Sequence, residues 1–78
     1  MQLPRYFIVG ARPVKFIATA DGGMDVVAFD WESGQFVRAM QYLARCSQGD
    51  IDIDEVDEAE FESHVARETE AVRARGGG

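Results

Sequence analysis

Seventy-eight residues, 46% hydrophobic and 28% charged with a net charge of −6, describe one small folded domain and exclude both a disordered tail and a chain with two cores. The single cysteine, Cys46, excludes an intramolecular disulfide, and the short apolar runs exclude a membrane-spanning helix. The start, Met1-Gln2-Leu3-Pro4-Arg5, carries no signal-peptide pattern, so a cytoplasmic location is expected.

Tyr6 to Val9 is an apolar run between Pro4 and Gly10, as in a strand buried on both faces. Val14 to Ala20 alternates, Met24 to Trp31 is rich in β-formers, and Asp21-Gly22-Gly23 between them tolerates positive φ. Together they predict a β-hairpin. Glu32-Ser33-Gly34 reads as a further turn. A third hairpin strand could begin at Gln35, but Phe36, Val37, Met40, Leu43 and Ala44 recur at helical spacing, with Arg38, Gln41 and Arg45 opposite. A helix from Gln35 to Ser47 is favoured, with Gly49 as its stop. Ile51 and Ile53 alternate with Asp50, Asp52 and Asp54, the pattern of a short edge strand guarded by charge. Asp57 followed by Glu60 is a capping-box pattern, predicting a second helix from Glu58 to Arg75 with Phe61, Val65 and Val72 as its apolar stripe. The expected class is α+β: a small antiparallel sheet of three or four strands packed by one or two helices, in the order β-β-β-α-β-α. Residues 1–75 form the domain, and 76–78 a flexible glycine tail.

The charge is concentrated. Residues 50–62 hold eight acids and no base, whereas residues 1–49 and 63–78 each sum to +1. Asp50, Asp52 and Asp54 match the first three ligands of an EF-hand loop, but Glu55 stands where glycine is needed and Phe61 where the bidentate glutamate should be. No metal site or cofactor is therefore expected. His64 lies between Glu60 and Glu68 on a helix face, without the cysteines or further histidines that a zinc site needs. Cys46, in acidic company, reads as a core residue rather than a nucleophile. Gly22-Gly23 and Gly76-Gly77-Gly78 lack the context of a phosphate loop. No catalytic set emerges, and the chain is not expected to be an enzyme. Arg5, Arg12 and Lys15, with Tyr6 and Phe16 interleaved, are too few to bind nucleic acid directly.

What remains is binding. Asp57 and Glu60 have a local capping role, whereas Asp50, Asp52, Asp54 and Glu55 have none visible in the sequence. With Glu58 and Glu62, and with Trp31 and Tyr42 as aromatic anchors, they form the candidate partner-binding set. Carboxylates at alternate positions of an extended strand lie about 6.6–7 Å apart, close to the phosphate repeat of a nucleic-acid strand. In size, charge and lack of catalytic groups the chain resembles, as a class, phage anti-CRISPR and bacterial toxin-immunity proteins, several of which occlude a basic nucleic-acid site. No motif is shared, so no residue role carries over. The resemblance implies an inhibitor that docks on a partner with a basic surface, acting as a nucleic-acid mimic. The alternative is a generic bacterial adaptor or subunit module whose acid run serves only to solubilise it. Partner binding or self-association would help a core this small.

Overall fold

The computed structural model describes residues 2–76. Five strands, β1 (Arg5–Val9), β2 (Arg12–Ala18), β3 (Met24–Asp30), β4 (Gln35–Arg38) and β5 (Ile53–Val56), form one antiparallel sheet in the order β4-β3-β2-β1-β5. Helix α1 (Tyr42–Gln48) connects β4 to β5, and α2 (Glu58–Gly76) follows β5. Gly76 belongs to α2; the rest of the expected glycine tail lies outside the described residues.

The period-2 alternation of the strands sorts their side chains onto two faces, and each face has its own helix. On one face Phe7 and Val9 of β1, Val14 and Phe16 of β2, and Val26 and Ala28 of β3 are buried together with Ala39 and with Cys46 of α1. Leu3, Tyr42, Leu43 and Ile53 pack at the margin of this cluster. The expected core position of Cys46 is borne out, and burial pushes its thiol above the ordinary range. On the other face Phe61 of α2, 1% exposed, meets Tyr6 at 4.9 Å and stacks on Phe36 at 5.8 Å. Phe36 in turn meets Phe29 edge-on. β1 is thus buried from both sides, as its unbroken apolar run predicts.

The β2–β3 hairpin forms where expected. Gly22 adopts φ 85°, and Asp21 accepts from the Thr19 hydroxyl and the Gly23 amide, bonds that hold its carboxyl below the usual range. The Gly49 stop is also correct: at φ 73° it caps α1, its amide donating to the carbonyl of Arg45. At the head of α2, Asp57 Oδ1 accepts from the Glu60 amide at 2.8 Å, as the cap predicts.

The segment 35–47 departs from expectation. Gln35–Arg38 is a strand, not the start of a helix, which makes five strands rather than three or four. The outer edge of β3 offers unpaired main-chain groups, and satisfying them outweighs a helical spacing that nothing else supports. The register Ala28↔Val37 and Phe29↔Phe36 turns Phe36 towards α2, whereas Val37 and Met40 stay exposed at 43% and 37%. The helix begins only at Tyr42. β5 is likewise displaced, starting at Ile53 rather than at Asp50. Ile51 is fully exposed, and the Ile53 amide closes a turn on the carbonyl of Asp50 at 3.1 Å. The edge position expected for this strand is correct.

Candidate partner-binding surface

The candidate residues fall into two groups at opposite ends of β5. At its start, Asp50 and Asp52 lie in the turn after α1, and both face Arg45, whose Nε and Nη2 are each 3.3 Å from a carboxylate oxygen. Because these two residues are not extended, the evenly spaced ladder of Asp50, Asp52 and Asp54 does not form. The Arg45 guanidinium also lies 5.7 Å from the Tyr42 ring centre. Arg12 of β2 continues this stack, with its guanidinium 5.0 Å from the Trp31 ring and 5.8 Å from Tyr42. Its Nε donates to the carbonyl of Phe29 and its Nη1 to the Tyr42 hydroxyl, both at 2.8 Å. Trp31 is fixed from the helical side as well, its indole N–H donating to Glu68 of α2 at 2.6 Å. Trp31 and Tyr42 are therefore half-buried and clamp an arginine between them.

At the far end, Glu55 receives a two-pronged bond from Arg5: Nε to Oε2 at 2.8 Å and Nη2 to Oε1 at 2.9 Å. The sheet register sets both on the same face, because Arg5 lies opposite Phe16 and Glu55 opposite Phe7. The hydrogen bond from Arg5 holds the Glu55 carboxyl below its ordinary 4.5, a slight burial opposes this, and the charge of Arg5 adds to it. Since the folded value is depressed, the contribution is complete above pH 4.5 and is lost as the pH falls through the lowered folded value. Glu55→Gln is accordingly expected to flatten the acid limb of a stability-against-pH curve below pH 4.5 and to cost about 1 kcal/mol or less at neutrality. Urea titrations from pH 2 to 7 check this, and an unchanged acid limb would refute it.

On the other face, the Tyr6 hydroxyl donates to Glu58 Oε2 at 3.2 Å. Desolvation, and then the neighbouring Glu58 and Glu62, hold the Tyr6 phenol above its ordinary range. Asp54, opposite Ile8 in the register, shares this face. Among the described residues, Asp54, Glu58 and Glu62 have no arginine, lysine or histidine within ion-pair distance. Beside them, Gln2 to Tyr6 and Glu55 to Glu58 line an open hollow of about 790 Å³.

The structure thus divides the acidic members of the candidate set in two. Asp50 and Asp52 pair with Arg45 and Glu55 with Arg5, whereas Asp54, Glu58 and Glu62 have no ion-pair partner among the described residues. Arg5, Arg12 and Lys15 do not form a basic cluster: Arg5 serves Glu55, Arg12 serves the aromatic pair, and Lys15 lies 4.7 Å above Phe36. His64 approaches Glu60 at 4.0 Å, while Glu68 is engaged by Trp31. No helix among the described residues is long and apolar enough to cross a membrane. Comparison of the chain with family models, with curated proteins and with solved structures finds no match.

Proposed function

We propose that the protein is a small acidic binding domain that docks on a basic, nucleic-acid-binding site of a partner protein and occludes it. The observation that carries this reading is the open set Asp54, Glu58 and Glu62, which no base of the described chain neutralises although eight bases are present in the sequence. Such a surface steers a basic partner from a distance and competes with phosphates for the same guanidinium and ammonium groups. The acids lie on a strand edge and the first turns of a capped helix, a support rigid enough to present them without ordering cost.

The adaptor reading draws on a different observation, the internal pairing of Asp50, Asp52 and Glu55, whose charge is spent on organising this fold. One experiment separates the two. A partner is captured from source cells on the immobilised protein, and its affinity is measured at low and moderate salt for the wild type and for the triple variant Asp54→Lys, Glu58→Lys, Glu62→Lys. The inhibitor reading expects a loss of about 100-fold or more, a flattened salt dependence, and competition by duplex DNA or RNA. Equal affinity and an equal salt slope would sink it.

A further inference from the structure

The two edges of the sheet differ in how they are guarded. On β5, any antiparallel pairing of the strand with its own copy that keeps side chains on their proper faces sets carboxylate against carboxylate: Asp54 or Glu55 against itself, Asp52 against Asp54, or Glu55 against Asp57. β4 has no such guard. From Ser33 to Gln41 there is no carboxylate and a single base, Arg38. Of the three large apolar residues left exposed among the described residues, Val37 and Met40 are here, and the third, Ile51, lies in the turn before β5.

The main chain of β4 fixes how this edge can be used. The Ala39 amide donates to the carbonyl of Val26 at 2.8 Å. Hydrogen-bonded pairs alternate along an antiparallel ladder, so Val37 and Gln35 also turn their main-chain groups inward to β3. Those of Phe36 and Arg38 therefore face the open edge.

We propose that this edge docks a second copy of the chain, β4 against β4, antiparallel about a two-fold axis that passes through Val37 perpendicular to the sheet. In that register Phe36 pairs with Arg38 of the second copy and Arg38 with its Phe36, so the outward groups of both residues are satisfied at once. The two Val37 side chains meet at the axis on one face. On the other, the Arg38 guanidinium, 73% exposed and held at 3.1 Å by Asp25, lies beside the second copy's Phe36 ring. The operation keeps α2 of both copies on the same face and extends the sheet without a break. Charge favours the same choice of edge: β5, which bears the acid window, is four strand spacings away, roughly 19 Å, so the two acidic surfaces end up at opposite extremes of the dimer.

The test is a concentration series by light scattering or sedimentation on the wild type, Val37→Lys and Arg38→Pro. Lysine at the axis sets two like charges together, and proline at 38 removes an outward-facing N–H without touching the ladder to β3. The wild type is expected at about twice the 8.6 kDa chain mass, with Phe36 and Arg38 amides that exchange more slowly as concentration rises. Both variants are expected at the monomer mass with an unchanged circular dichroism spectrum. A wild type that stays monomeric up to about 1 mM, or a dimer that survives in a folded variant, overturns the proposal. Should Val37→Lys fail to fold, Arg38→Pro and the exchange of the Phe36 amide decide by the same criteria.

Discussion

Phe61→Ala is expected to be the most damaging single substitution in α2, costing about 3–5 kcal/mol. Phe61 is the one buried residue of that nineteen-residue helix, and its ring joins Tyr6 on one side to Phe36 on the other. The other inward positions, His64, Val65, Glu68, Thr69 and Val72, are only half-buried, so no neighbour compensates for a cavity at 61. For a chain of this length total stability is about 4–12 kcal/mol, and the loss claims a large share of it. Urea unfolding followed by circular dichroism is expected to show a much lower midpoint together with reduced helical signal before the main transition. Phe61→Leu, which keeps most of the volume, is expected to recover the greater part of the loss. A midpoint for Phe61→Ala close to that of the wild type would mean that α2 is not held through this ring.

Arg12→Ala is expected to cost about 2–3 kcal/mol through the charge-assisted hydrogen bonds it removes, with the stacking against Trp31 and Tyr42 lost as well. The guanidinium reaches the Phe29 carbonyl and the Tyr42 hydroxyl simultaneously while lying against both rings. Arg12→Lys is not expected to rescue it, because an ammonium cannot present the planar fork that bridges these two acceptors. Trp31 is the only tryptophan, so the change can be read directly in its fluorescence. Alanine and lysine variants are both expected to shift the emission and lower the midpoint, whereas a lysine variant indistinguishable from the wild type would reduce Arg12 to a mere surface charge.

What the sequence disclosed and what it concealed divide along the range of the interactions. The β2–β3 hairpin, the stop at Gly49 and the cap at Asp57 rest on residues within a turn of each other, and all three are where a reading of single positions places them. The strand at Gln35–Arg38, an open alternative in the sequence, lost out there to a helix because its apolar residues mimic a helical stripe. Only the free edge of β3, a tertiary fact, turns them into a strand. In the candidate surface, the concentration of charge was legible, but its disposition was not. The pairing of Arg45 with Asp50 and Asp52 was within reach of sequence reasoning, since the base stands five and seven positions before them across a helix stop. That of Arg5 with Glu55 was not, for nothing local relates the two residues. Arg12 was visible only as a base, and its place between two aromatic rings depends on the sheet bringing β2, the end of β3 and α1 to one corner.

The meeting of β1 with β5 also has a kinetic side. β1 to β4 are joined in sequence by short turns and can assemble as a meander from local encounters, each closing a small loop. The final pairing brings together Arg5 and Glu55, 50 positions apart, and the entropy of closing so long a loop is repaid only once the meander already holds β1 in place. The strand that completes the sheet and the helix that seals its second face are thus the last to join. Until they do, Tyr6, Ile8 and Phe36 stand open to water, and that interval is when the chain is most exposed to pairing with the wrong neighbour.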